Sequence, residues 1–476
     1  MKSPLLLLFC LICCSLWGQT LTVSEEINLR SDTEYHLVGK AGGKVMLLQD
    51  RTTKHFVTAY DRRMQESWEK ELELRGKNIR LIEVMENARG FQLLYLFRQG
   101  GKNYLQLDGY DPAANLRDSV TVAEFSYWLN NPAYELVRSQ DRSKVVLLVG
   151  ENPQKIDAIA MDLDSAKLLY RTTLEPEDFY FREDFLQAEV SNQGDAFVVI
   201  ERDNFVSRRR DHIYEVHQLS TEEDRPKNFN VSLGDSLTYD VFFTYDNLND
   251  RLVCGGLYAV KDLLRARGYF YSWVNPRAPA EMMTRFEPFS NQLVENVEGK
   301  KLRNRKNRGL DELSIRHGIL RRDGGMILVT ERNRQLERRA AATQTQVLSN
   351  YNGRPLVDYY YDEMVVFSIK PGGELQWHNI LHKKQYSQDD GGSFSSFMLL
   401  ESPRTLRFLF NDEIRFENTV SEYVLDGRGE LDRNSLFNTR DLDLKLRFRD
   451  GVQVAANEVI IPSERRNRLR LVTMTY

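Results

Sequence analysis

Eight short runs of consecutive apolar residues punctuate an otherwise polar chain. They are KVMLLQ (44–49), GFQLLYLF (90–97), KVVLLV (144–149), DAFVVI (195–200), RLVCGGLY (251–258), GMILVT (325–330), TLRFLF (405–410) and ANEVII (456–461). Runs of this length, rich in Val, Leu, Ile and Phe, read as strands buried on both faces. Their starts are 46, 54, 51, 56, 74, 80 and 51 residues apart. Flanking segments predict further strands: 134–139, 186–191, 238–245 and 444–449 before the run, and 55–61, 104–111, 157–164, 363–370 and 421–427 after it. The following strands end in turn chemistry at Asp61-Arg62-Arg63, Asp111-Pro112, Asp164-Ser165, Lys370-Pro371-Gly372-Gly373 and Asp426-Gly427, residues whose backbone preferences suit tight turns. A fourth strand is signalled by Trp68 and Leu72, repeated 309 positions later as Trp377 and Leu381, and by Glu374-Leu375, repeated 56 positions later as Glu430-Leu431.

Four antiparallel strands recurring about every fifty residues resemble the blades of a β-propeller. The two long intervals imply insertions near 289–311 and 332–357. The last unit ends on its third strand, 467–476, and residues 20–27 offer a strand to complete it. Pairing the two ends would close the ring and remove an exposed edge. The expectation is an all-β propeller of eight four-stranded blades, with seven as the alternative, forming one domain over residues 19–476. The resemblance is architectural, to secreted bacterial propellers of uncharacterised kind. Repeated Gly-His and Trp-Asp pairs, kelch-type Gly-Gly doublets and sialidase-type Ser-x-Asp-x-Gly-x-x-Trp boxes do not occur. The structural rival is an outer-membrane β-barrel, for which the alternation of Val472, Met474 and Tyr476 speaks. The continuous apolar runs, and Arg468 and Arg470 in that final strand, speak against it.

Composition adds an address. Lys2 precedes an apolar run over 5–12, then Cys13, Cys14 and a polar transition after Gly18. This is the layout of a secretory signal peptide, 1–18, placing the protein in the periplasm, at the cell surface or outside the cell. Acylation at Cys13 or Cys14 is the less favoured reading, because Ile12 or Cys13 occupies the preceding position. Cleavage would leave Cys254 alone, without an internal disulfide and inside an apolar run, where burial is the expected role. No later stretch reaches 18 apolar residues, so no transmembrane helix is expected.

Charge is unevenly spread. The net charge is −4, yet residues 299–340 hold 13 Lys/Arg against 5 Asp/Glu, a local +8. In a propeller blade, the loops between second and third strands and the connectors between blades emerge on one face. The blade assignment puts Arg208, Arg209 and Arg210, then Lys261 and Arg265, then Lys300, Lys301, Arg303 and Arg305, and finally Arg338 and Arg339 on that face. Trp128 and Tyr180 lie on its connectors and would offer sugar-stacking surfaces. Loops on a rigid face commonly carry function, and a cationic patch steers anions. The expected partners are an anionic polysaccharide, lipopolysaccharide phosphates or an acidic protein. Nucleic acid is not expected. The plainer alternative makes these solvated loops, with 332–346 (RNRQLERRAAATQTQ) a mobile or partly helical insertion. The connector aromatics, among them Phe179 and Phe181, would then be packing between blades.

Motifs for catalysis are scarce. Among the 7 histidines, His212/His217 and His378/His382 are close in sequence. A five-residue strand spacing opposes the first pair, and about 13 Å of strand separates the second, so structural roles are expected over metal binding. No nucleophile elbow, phosphate loop or cofactor motif is present, and no cofactor or metal is expected. DNLND (246–250) reads as a hairpin turn. Asp389-Asp390-Gly391-Gly392 reads as an acidic connector opposing the basic loops. Three functions follow: non-catalytic binding or scaffolding through the basic face, carbohydrate hydrolysis by carboxylates at the central channel, or a part in a cell-envelope assembly without a small ligand.

Overall fold

The computed structural model describes residues 19–30, 33–51, 53–87, 89–125, 133–150, 152–205, 211–222, 225–302, 308–338, 356–414 and 419–476. The signal-like segment therefore lies outside the described residues.

Alternation within each apolar run decides the architecture. In Lys144–Gly150, Val145, Leu147 and Val149 pack against one neighbouring sheet, and Val146 and Leu148 against the other. Val45 and Leu47 are likewise opposed to Met46 and Leu48, Phe197 and Val199 to Val198 and Ile200, and Val459 and Ile461 to Ile460. A strand apolar on both faces must lie between two layers. Eight apolar clusters result, one in each gap between neighbouring sheets.

The sheets are eight four-stranded antiparallel blades in a ring, a β-propeller. Blades one to seven span 33–72, 77–125, 133–174, 185–232, 237–288, 313–381 and 398–438. Blade eight combines 452–475 with Thr20–Val23, which pairs from Thr20↔Thr475 to Val23↔Val472. Ile27–Asn28 adds a second contact with Arg468 and Leu469. Leu21 and Val23 pack into the seam between blades seven and eight, and Ile27 and Leu29 into the seam between blades eight and one. The blade count is thus eight, the chain ends close the ring, and eight separate sheets replace the single continuous sheet of a barrel. Around the centre, first strands touch between blades one and two, three and four, four and five, five and six, and eight and one.

Two sequence expectations need correction. Residues 444–449 are not the first strand of blade eight, which is Val452–Ala455. They form a connector that makes an isolated bridge from Leu446 to Ser463 and ends in the short helical turn Phe448–Asp450. Leu444, Leu446 and Phe448 alternate because they bury one face in the last seam, and alternation reports burial, not a pairing partner. Nor is 332–338 helical or mobile: it extends the second strand of blade six, Met326–Arg338, along Leu356–Ile369. Residues 339–355 lie outside the described residues. Three tyrosines drive the extension. Tyr359, Tyr360 and Tyr361 stand opposite Gln335, Arg334 and Asn333, and the Arg334 guanidinium lies 4.4 Å above the Tyr360 ring. An extra strand, Gln385–Gln388, pairs on the far side of the same tyrosines.

The other insertion carries the helix Asn291–Glu298. Ser290 Oγ accepts the Leu293 N–H, and Gly299 ends the helix in the left-handed conformation at φ 64°. Its buried residues Leu293, Val294 and Val297 join the seam between blades five and six.

Turns at the ends of third strands share one design. Asp61 Oδ1 accepts the N–H groups of Arg63 and Gln65, Asp111 Oδ1 those of Ala113 and Asn115, and Asp426 Oδ1 those of Arg428 and Glu430. The penultimate residue is left-handed in each: Met64 at φ 58°, Ala114 at φ 56° and Gly429 at φ 87°. The repeated tryptophans meet this turn on the next blade. Trp377 Nε1 donates to Gly427 O at 3.3 Å, and Trp68 packs on the cluster containing Ala114. A Cβ on Gly429 would lie 2.8 Å from the Trp377 ring. Gly429→Ala should therefore destabilise by about 2 kcal/mol, from strain and clash together. Ala114→Gly exchanges left-handed strain for one lost methyl and should stay within about 1 kcal/mol of wild type; urea unfolding of both variants checks the contrast.

Candidate functional site

Antiparallel order sends the loops between second and third strands and the blade-to-blade connectors to one face. On that face the insertion helix of blade five ends beside the loop 260–267. Arg265 fixes the junction: Nη2 meets Asp311 Oδ2 at 2.5 Å and Nη1 donates to Gly309 O at 3.2 Å, while Ala266 and Leu310 form a bridge. Arg332 closes the helix end by donating to Val297 O at 3.4 Å and pairing with Asp311. The result is a pocket of about 540 Å³ lined by Arg265, Glu298, Lys300, Lys301 and Arg308. Lys300 pairs with Glu298 at 3.1 Å. Lys301 and Arg308 form no ion pair with another described residue. Beside the pocket, Lys261 stands exposed with Val260, Leu263 and Leu264, the last 76% exposed.

So Arg265, Lys300 and Lys301 of the expected site come together. Arg338 does not join them: it is held on the blade-six hairpin by both carboxylate oxygens of Asp358, at 2.6 and 2.8 Å, and by Tyr386 Oη. Tyr180 is exposed on its connector with its N–H bound to Asp184. Its neighbours Phe179 and Phe181 are buried between blades three and four, edge-on at 6.4 Å, which makes them packing residues. Arg208, Arg209, Arg210, Trp128, Arg303, Arg305 and Arg339 lie outside the described residues. Several cations of the 299–340 segment are paired, mostly with acids of the same segment, and among the described residues only Glu298, Asp358 and Glu363 from outside it offset part of the +8. Arg316 pairs with Glu331, Arg321 with Asp323, Arg332 with Asp311, Glu312 and Glu363, and Arg334 with Glu312.

A buried network missed in the sequence anchors the connector after blade six. Lys383 Nζ lies 2.6 Å from Glu331 Oε1, with both side chains fully buried. Arg316 Nε at 2.8 Å and Ser396 Oγ at 2.7 Å donate to Glu331 Oε2. Lys383 also donates to Tyr361 O and Gln385 Oε1. Burial lowers the Lys383 pKa and Glu331 opposes that shift. No spacing pattern announces these residues, which meet only through the blade-six extension. Next to them the channel mouth forms a pocket of about 250 Å³ lined by Arg316, His317, Phe397, Phe448 and Arg449, without a carboxylate.

Carboxylates on first strands bear on hydrolysis. Glu135, Glu189, Asp240 and Glu401 are all raised, with burial the largest cause, Glu189 to about 8. None is raised by another of the four, so they are not the mutually repelling pair that splits two carboxyl pKa values. Two hold structure: Asp240 Oδ2 accepts the Ile315 N–H of the next blade at 2.7 Å, and Glu189 accepts from Gln187 at 2.8 Å. The remaining expected sites also resolve as structure. Asp246 caps its own hairpin through Leu248 and Asn249. Asp389 accepts the Val357 N–H, and Asp390 accepts from Ser387 and Gly392, so this connector is a folded turn. His217 binds Glu215 at 2.7 Å, and His212 binds Ser236 O and Glu201. Cys254 is a core residue whose thiol burial pushes up to about 12.

No protein-family model matches the chain, and no curated protein does. Solved structures similar to it include BamB from Moraxella catarrhalis, 12% identical, covering 96% of this chain and 100% of that one at a TM-score of 0.37. The WD40 domain of SCAP from fission yeast is 9% identical over 97% of this chain and 98% of that one, at 0.39. The Nup133 β-propeller domain of Vanderwaltozyma polyspora is 8% identical over 96% and 98%, at 0.42. At these identities and scores the likeness carries no argument about function.

Burial, with Arg316 adding, lowers His317 from 6.5 to about 4. As pH falls, the unfolded chain takes up this proton first, so the stability His317 contributes is intact above about pH 6.5 and is lost towards pH 4. Urea unfolding between pH 7 and 4 should lose about 2 kcal/mol more in wild type than in His317→Leu, after discounting for partial solvent access. Lys383→Met should cost about 3 kcal/mol by leaving Glu331 Oε1 buried without its partner while Arg316 still holds Oε2, and Glu331→Gln in the same chain should restore part of it.

Proposed function

We propose that the protein is an exported, non-catalytic binding propeller that holds an anionic polysaccharide on the connector face of blades five and six. The observation carrying this reading is the pocket where Arg265, Lys300, Lys301 and Arg308 converge against Glu298 as the lining carboxylate. Its volume suits a charged sugar residue better than a flat surface would. Lys301 and Arg308 keep their charge available, and Arg308 offers a forked donor to a carboxylate or sulfate. The exposed Val260, Leu263 and Leu264 supply an apolar rim for the ring faces of a sugar. Export rests on the signal-like layout of residues 1–18.

Elution from an immobilised sulfated or uronic-acid polysaccharide tests the reading. Lys300→Ala/Lys301→Ala/Arg308→Ala should elute at clearly lower salt, with binding weaker by roughly tenfold for two or three lost partly screened contacts. Arg338→Ala, whose guanidinium is already satisfied by Asp358, should elute with wild type. Identical elution of the triple variant and wild type rejects the pocket.

A further inference from the structure

The hairpin between the second and third strands of blade eight carries Arg465, Arg466, Arg468 and Arg470 within six residues. The strands Glu458–Arg465 and Arg468–Thr475 leave Arg466 and Asn467 as the whole turn. Both are left-handed, at φ 49° and 61°. Turns of this kind favour Asn and Gly, and asparagine tolerates the position where arginine is strained. Arg465 and Arg468 stand directly opposite each other across the strand pair, where like charges repel. Leu469 and Leu471 are buried in the seam with blade one, so Arg468 and Arg470 share the other face of the strand.

These four arginines, with Glu26 and Asp443, line a pocket of about 300 Å³. Glu26 takes Arg468 at 3.1 Å and Arg470 at 2.7 Å, and Asp443 takes Arg465. Arg466 pairs with no described residue. Four guanidinium groups therefore face two carboxylates. Backbone strain at an arginine, opposed like charges and an excess of two positive charges all weigh against this hairpin when it is empty. Strain held at a side chain lining a pocket is the arrangement found at ligand clamps.

We infer that this pocket is an oxyanion site that takes the dianion of a phosphate monoester. Such a group matches the excess charge and accepts from guanidinium forks two at a time. The site is separate from the pocket at blades five and six and does not depend on it. It lies where Glu26, from the segment that closes the ring, meets the last blade, so an occupant also ties the two chain ends.

Thermal unfolding of the full chain, with millimolar inorganic phosphate or sulfate against chloride at equal ionic strength, tests the site. Wild type should gain stability with the oxyanion. Arg466→Gly should melt higher than wild type in chloride, because strain and repulsion are relieved, and should gain much less from the oxyanion. Calorimetric titration should show one site in wild type, weakened at least tenfold in Arg465→Ala/Arg466→Ala. Tighter binding of glucose 6-phosphate than of inorganic phosphate supports the site and assigns the ester. An equal gain in wild type and Arg466→Gly overturns the inference, as does a wild-type gain no larger than chloride gives.

Discussion

Val145, Leu147 and Val149 are dry only because a second sheet lies against them, and Val146 and Leu148 only because a third lies on the far side. Each such residue contributes about 1.5–3 kcal/mol when fully buried, whereas an exposed ion pair contributes at most about 1 kcal/mol. The seams therefore dominate. A blade apolar on both faces cannot end a stack, so the row of sheets must return to its beginning. That return is made where Leu21 and Val23 pack beside Met474, and Ile27 and Leu29 beside Leu471. The first strand completes the last blade by pairing along its exposed backbone edge, from Thr20↔Thr475 to Val23↔Val472. Cys254 contributes to a seam as a buried thiol and to no disulfide.

Stacking leaves one problem at the centre. The first strand of each blade has a free edge, and its N–H and C=O groups need partners. Side-chain amides supply several. Gln187 both donates to and accepts from Phe243 of the next blade, at 2.8 and 2.9 Å. Gln453 does the same for Glu401, and Asn204 for Thr238. Asp240 reaches across to Ile315. Polar groups on the first strands thus serve ring cohesion, and Glu135, Glu189, Asp240 and Glu401 among them are raised by burial and not by one another. This shifts the search for a binding surface from the channel wall to the connector face.

The fold was readable because the eight runs repeat and because turn aspartates and tryptophans recur at matching offsets. The tryptophan repeat had a reason invisible in the sequence: each packs over the left-handed turn of the following blade. Where reading went astray, the sequence carried a true pattern with a different cause. Residues 444–449 alternate because they line a seam, and 332–338 looks like a solvated basic run because the tyrosines opposite it lie more than twenty residues away. The candidate site was half readable. Charge density found Arg265, Lys300 and Lys301, but counting charges along the chain cannot show that Arg332, Arg334 and Arg338 are already paired. Glu331 and Lys383, the most deeply buried ion pair described, leave no local signature, since their meeting depends on two elements folding over each other.

Both basic pockets lie on the connector face, one raised by an inserted helix and the other by a strained hairpin. Between them the channel mouth adds Arg316 and Arg449, with Arg449 5.7 Å from the Tyr361 ring. A chain of net charge −4 overall that gathers unpaired cations on one face is a dipole. Such a molecule orients in the field of a polyanion before contact, at distances of about a Debye length. Arginines held in ion pairs add little to the long-range field, so under the proposed binding function Lys301, Arg308 and Arg466 would supply most of the attraction and the contact.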